Sequence, residues 1–475
     1  MMKRKLTPTT TSVVPARIAG TAVAVLLAAA TAQAAATSGT WTNPATSTDS
    51  WTTASNWSIT SGSGSYPGGA DGVATFTNPG SNYTVDIGTN PISIGSIDAS
   101  FNGNHGLTIT SGTLNFATST GTPGLTWSST VGGPVVSFSG LTVTGNQGLV
   151  ITGSANMNTS FRTYGNTIWS GFSGTVALTQ GNWDPQQANA APANSDLILG
   201  GTDTNSTNDT GTARFGLFGG RNQTIGALTG GSASYLSNNS STTATTLTIG
   251  NNNDSGNFAG NIGQHTGGQP TGTGVNINVV KTGTGTETFS GTDSYTGSTT
   301  INAGTLAVTG SLSGGGLVTV KSGGTLAGTG GIIAGAVALS GGSINLSDST
   351  IGNLTLQNGL TMTSGSLAFE IGSGGASDLI DVTGGSVSAT GAVTVNIAGL
   401  SGFGAGTYDL ISGTSSGLGN LSLGTTPGGA FNYALQSGTN GEQLVVSAVP
   451  EPAPIALIAA GGLGLLLLNR KKRLA

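Results

Sequence analysis

A short motif, glycine then serine or threonine then an aliphatic residue, returns at steps of about twenty residues in the second half of the chain. It stands at Gly304-Thr305-Leu306, Gly324-Thr325-Leu326, Gly342-Ser343-Ile344, Gly365-Ser366-Leu367 and Gly385-Ser386-Val387. Alternating segments accompany it: Val275 to Val279, Val318 to Val320, Leu354 to Leu356, Leu367 to Ile371 and Val393 to Ile397. Apolar residues at i and i+2 mark half-buried strands, and the Gly, Ser and Asn between them mark turns. A period near twenty with glycine at the corner suits one coil of a parallel β-helix, whose inward side chains stack on those of the previous coil. The expectation is an all-β chain built as a right-handed parallel β-helix. The competing reading is a large antiparallel sandwich, with turn signals every roughly 8 to 12 residues.

Composition agrees with strands. Glycine supplies 83 of 475 residues, about 17% against a usual ~7%. Such a chain loses too much backbone entropy to hold helices, while its many threonines fit a pleated sheet. No Gly-X-Y period appears, which excludes collagen. Cysteine is absent, so disulfides, thiolate metal sites and cysteine nucleophiles are excluded together.

Charge is sparse and unevenly placed. Eight of the 13 basic residues lie at the two ends. Between Ala35 and Val449 stand only Arg162, Arg214, Arg221, Lys281 and Lys321, against 17 acidic residues, a net charge of −12. Such a body repels phosphate backbones, so no nucleic-acid partner is expected. His105 and His265 lie far apart along the chain, in polar surroundings, and read as surface histidines.

The ends define a route. Lys3, Arg4 and Lys5 precede an apolar run from Ile18 to Ala30, followed by Ala32-Gln33-Ala34. Residues 1–34 therefore read as a secretory signal peptide cut between Ala34 and Ala35, with Ala36/Thr37 the next choice. At the other end, Ala453 to Leu468 form a second apolar run. As a helix it would be about 24 Å long, a short single transmembrane span. Arg470, Lys471, Lys472 and Arg473 follow it and would stay cytoplasmic, stopping transfer. Residues 35–449 would then lie outside the inner membrane.

Pro450-Glu451-Pro452, the apolar run and the basic cluster occur in that order at the terminus. This tail, 449–475, resembles the PEP-CTERM sorting signal of Gram-negative bacteria. The resemblance implies an exosortase-type processing protease as partner and the cell surface or exopolysaccharide matrix as destination. The two prolines keep the segment extended, as a protease cleft requires. An ordinary C-terminal membrane anchor is the alternative.

Residues 281–306 carry a second resemblance. Lys281, Gly283, Gly285, Phe289, Gly291, Tyr295, Gly297, Ile301, Gly304 and Leu306 fall on the pattern of the autotransporter-associated β-strand repeat. That implies a β-helical stalk exposed at a bacterial surface, here within a β-helical region over 271–448. Residues 35–183 hold all six tryptophans: Trp41, Trp51, Trp57, Trp127, Trp169 and Trp183. They read as a cap and first coils, the rings either shielding the open core or stacking on sugars. Residues 184–270 are rich in Asn, Ser and Thr and read as irregular coils or a linker.

The sequence offers no catalytic constellation, and no enzyme is expected. Asp378 and Asp381 are three apart, so in a strand they face opposite sides and form no dyad. Glu370 should point outward beside Phe369. Arg162, Arg214 and Arg221 could meet substrate carboxylates, but Gly and Asn surround them with no partner acid. Asn251 to Gly256 resembles a calcium loop only loosely, since Ile262 stands where a bidentate Glu belongs. Asp203, Asn205 and Asp209 offer weak oxygen ligands, and no metal or cofactor is expected. The reading is an exported structural or adhesion protein of the cell surface or exopolysaccharide matrix, with surface glycans as partners. The alternative is a polysaccharide-active β-helix enzyme, either lyase or glycosidase, which activity of residues 35–449 on matrix glycans would reveal.

Overall fold

The computed structural model describes residues 35–450 apart from 44–47, 78–81, 102–104, 130–134, 155–159, 165, 201–212, 218, 239–242, 264–275 and 430. The segments read as signal peptide, apolar run and basic cluster lie outside the described residues, as do Glu451, Pro452, His265, Val275, Asp203, Asn205 and Asp209. Among the described residues no helix is long and apolar enough to cross a membrane.

The described residues are all-β, and apart from the pairing of Ser38–Trp41 with Trp57–Ser61 and the terminal hairpin their strands pair in parallel with strands one coil away. Three faces result. Face A runs unbroken from Ser38–Trp41 through Val73–Thr77, Ser96–Phe101 and Gly124–Ser129 to Leu421–Leu423. Face B starts at Thr48–Ser50 and reaches Asn261–Ile262, then resumes from Thr292–Asp293 to Gly406–Ser412. Face C holds Ile92–Ile94 to Ile168–Phe172 and, further on, Gln223–Thr224 to Ser415–Ser416. This is the pairing of a parallel β-solenoid. Strands also continue through 184–262, on all three faces.

Side chains alternate in and out, so each inward position builds a column along the core. On face A, Leu306, Leu326, Ile344, Leu367, Val395 and Leu423 stack in register. On face C, Val279, Thr299, Val318, Val337, Leu360 and Val387 do the same. Each buried aliphatic contributes about 1.5–3 kcal/mol relative to leaving it in water.

The period read from the motif is local. Phe289 to Val308, Leu306 to Leu326 and Leu326 to Ile344 are register partners separated by nearly the same length of chain. The step before them, Phe258 to Phe289, is half as long again. Those after them, Ile344 to Leu367 and Leu367 to Val395, lengthen progressively, because loops such as 372–378 leave the coil at its corners. The fifth motif copy is consequently out of column. Val387 stacks on Leu360 of face C, while Val395 follows Leu367 on face A. Glycine before a strand is needed at either corner, so the motif marks corners without saying which.

Both ends of the core are covered. Trp41, Trp51, Trp57, Phe76 and Tyr83 form one aromatic cluster with ring centroids 4.9–6.2 Å apart. Each indole N–H is satisfied there by a backbone carbonyl: Trp41 by Asn43, Trp51 by Pro67, Trp57 by Trp51. These three tryptophans cap the first coil. Trp127, Trp169 and Trp183 instead fill the interior further along, and no tryptophan is more than 6% exposed. The sugar-stacking reading of these rings is therefore overturned: none presents a face to solvent. At the other end an antiparallel hairpin, Phe431–Gly438 with Gly441–Ala448, joins face B. Its Phe431, Tyr433 and Leu435 pack on the core, and Val449 and Pro450 follow directly.

Candidate functional site

From Val279 to Val308 the chain visits faces C, A, B, C and A in turn, through Ile277–Lys281, Thr286–Phe289, Thr292–Asp293, Thr299–Ile301 and Gly304–Val308. Gly283, Gly285, Gly291 and Gly297 sit at the turns between strands, and Gly304 opens one. A Cβ on Gly291 would stand 1.9 Å from the Gly260 carbonyl oxygen, and Gly304 has φ 63°. Only glycine lets successive corners stack that closely. Phe289 lies between Phe258 and Val308, and Ile301 between Lys281 and Val320. Leu306 follows Glu287 in its column. Tyr295 is buried, with its hydroxyl 2.6 Å from that of Thr299.

Three ionisable side chains of this stretch occupy inward positions, one per face. Lys281 stands in the face C column between Ile249 and Ile301, with 0% exposure. Its Nζ donates to the carbonyls of Thr282 (2.6 Å), Gly283 (3.2 Å) and Ala303 (3.5 Å), tying one corner to the next coil. Glu287 lies beneath Gly256 on face A. With no side chain there, its Oε2 reaches past to accept the Leu228 N–H at 3.2 Å. Asp293 sits where face B is interrupted, and its Oδ1 accepts the Ile262 N–H at 2.8 Å. Burial pushes both carboxyls up to about 8, against the pull of those N–H groups and, for Glu287, of Lys281. Burial also lowers Lys281, while Glu287 raises it. The repeat coil thus uses side-chain acceptors where the long coils before it leave backbone donors unpaired. Sequence reasoning passes over Glu287 and Asp293 because they occupy variable motif positions. Glu287 nevertheless shares the strand parity of Phe289, which is the signal that could have found it.

A second polar group takes the outward-pointing positions of face B, opposite in parity to Phe161, Trp183 and Phe215. Asp184 and Arg214 form an ion pair at 3.4 Å, both buried, and Arg214 Nε donates to Ser237 Oγ at 2.9 Å. This corrects the expectation that the arginines lack a partner acid: Asp184 is distant from Arg214 in sequence but one coil away in space. Arg162 is the register neighbour of Asp184 in the preceding coil. Burial raises Asp184, while the guanidinium groups of Arg214 and Arg162 and the Ser160 hydroxyl pull it back.

The late acids are structural. Asp378 and Asp381 do not meet. Asp378 precedes its strand and accepts the N–H groups of Glu370 (2.6 Å) and Gly352 (3.0 Å), whereas Asp381 is bonded by the Ser412 hydroxyl. Burial pushes Asp378 up to about 6. Glu370 does alternate outward from Phe369, but it is 6% exposed rather than solvated, since its Oε2 accepts the Ser349 N–H. In the Asn251–Gly256 loop, Asn252 bonds Asp196 and Asp254. No group of three metal-ligating side chains is placed to hold an ion among the described residues.

The class defined by these observations is a parallel β-solenoid with one glycine-cornered repeat coil. A family model described as passenger-associated-transport-repeat matches residues 279–308, the stretch that carries the three inward ionisable groups. The coil is thus an autotransporter-passenger-type repeat, of the kind that marks exported surface proteins. No curated protein matches the chain.

Proposed function

We propose that this chain is an exported, non-enzymatic structural or adhesion protein of the bacterial surface or exopolysaccharide matrix, sorted through its PEP-CTERM tail. The observation that supports it best is face A, continuous from Ser38 to Leu423 with the passenger-type coil stacked in its register. A solenoid wound in the right-handed sense usual for parallel crossovers, and closed at both ends, offers proteases few openings and presents a long hydroxyl- and amide-rich surface to glycans. The capping hairpin ends at Ala448, next to Val449-Pro450-Glu451-Pro452. An exosortase-type protease cutting there would leave the core closed.

The test is intact mass and fractionation of the protein from its own cells. The expected result is a body that lacks 1–34 and the residues beyond the Pro-Glu-Pro motif, in the surface or medium fraction. A full-length tail held in the inner membrane would overturn the matrix reading.

A further inference from the structure

Face B ends in an irregularity. Gly406–Ser412 pairs antiparallel with Gly441–Ala448, and the register slips there: Asp409 faces Gln443, whereas Ile411 faces Glu442. A bulge of this kind bends its strand and re-aims the side chains beside it. Next to it opens a cavity of about 420 Å³, bounded by the bulge, by the hairpin tip at Thr439 and Asn440, and by Leu379 of the preceding coil.

Asp409, Gln443 and Gln436 form one row across three strands. Gln443 Nε2 donates to Asp409 Oδ1 at 2.7 Å, which fixes the carboxylate. Asp409 Oδ2 and the side chains of Gln436, Thr439 and Asn440 make no hydrogen bond among the described residues, and these four residues are exposed. Their polar groups are open to a ligand rather than spent within the chain. No basic residue lines the cavity, and a second carboxylate, that of Asp381, accepts the hydroxyl of Ser412 on its wall. With these two acids set in a body of net charge −12, anionic ligands are repelled. A carboxylate beside primary amides can accept from, and donate to, neighbouring hydroxyls of one sugar ring. Leu379 and Ile411 offer apolar surface to the C–H groups of the same ring. The volume lies within the range of small-ligand pockets, roughly 300–1,000 Å³, and its open side lets a longer chain pass through.

We infer that this cavity binds a neutral polysaccharide through Asp409, Gln443 and Gln436. This rests on the glycan-contact reading above and narrows it to one ligand class and one place, the last coil beside the capping hairpin.

Affinity electrophoresis of the full-length protein through gels containing a galactomannan, a soluble β-glucan or a polyuronate tests it. Retardation by at least one of the two neutral polymers is expected, and none by the polyuronate. The double variant D409A/Q436A should weaken it about tenfold or more. Asp409→Asn, which keeps the shape and one acceptor oxygen, should lose less. Asn432→Ala, an exposed change on the same hairpin outside the cavity, should leave retardation as it is. Thermal unfolding of each variant separates lost binding from lost fold, since Asp409 and Gln436 are both exposed. Neutral-polymer retardation that survives D409A/Q436A overturns the site and leaves the glycan reading standing. Retardation by the polyuronate, alone or with equal strength, overturns the ligand class. No retardation by any of the three overturns both.

Discussion

At Gly291 the neighbouring coil sets the residue. Its missing Cβ would lie 1.9 Å from one backbone carbonyl and 2.6 Å from another, those of Gly260 and Ala259. Neither atom can swing aside as a side-chain tip would. Gly291→Ala should therefore destabilise the solenoid by about 1–3 kcal/mol. Gly419→Ala is the matched comparison, because Gly419 is exposed, with open space where its Cβ would be, and it should be neutral or slightly stabilising. Denaturant midpoints of the two variants measure the difference, and equal midpoints would remove the close-approach account of the motif. The motif glycines were legible because backbone contact between coils leaves a residue-type signature. Asp184 and Arg214 were not, since their meeting depends on the length of the coil between them.

At the level of single elements, the strands follow from alternation while the corners need more. The late alternating segments are strands where described, but the columns they enter depend on how many residues each corner consumes. The 372–378 loop shows what holds such an insertion. Asp378 caps the N–H groups of Glu370 and Gly352 from within the loop, and Glu370 in turn holds Ser349. Removing one buried acceptor leaves two backbone donors without partners, so Asp378→Ala should cost about 2–3 kcal/mol. Asp378→Asn keeps one acceptor oxygen and should lose less. Proteolysis of both variants, read by the position of the first cut, should place the new opening at 346–352 or 371–378. Cleavage elsewhere would mean that Asp378 does not hold these loops.

Over the whole molecule, burial is the largest influence on those described acids whose values are raised. Glu287, Asp293, Asp378, Asp184 and Glu442 are all raised by burial, the first two to about 8. Only Asp71 and Asp348, on the surface, are lowered among the described acids whose values shift. A carboxyl raised on folding binds its proton more tightly in the folded chain than in the unfolded one. Folding then takes up protons, and its stabilisation is complete below the unfolded value near 4 and lost as pH rises toward the folded value. For Glu287 and Asp293 that window runs from about 4 to about 8. Stability should therefore fall between pH 5 and pH 8.5, by on the order of a few kcal/mol, the reverse of ordinary acid denaturation. Of the charges that face Glu287, Lys281 lowers it and Asp196 raises it, while Lys281, itself lowered by burial, gives up its proton on folding and so works against the trend where it titrates. Glu287→Gln with Asp293→Asn keeps an acceptor for Leu228 and Ile262 and removes the titration. Thermal midpoints across this range should slope downward in the native chain and flatten in the double variant. A native midpoint that rises with pH would mean that both carboxyls stay ionised in the core, with Lys281 and the backbone N–H groups outweighing the cost of burial.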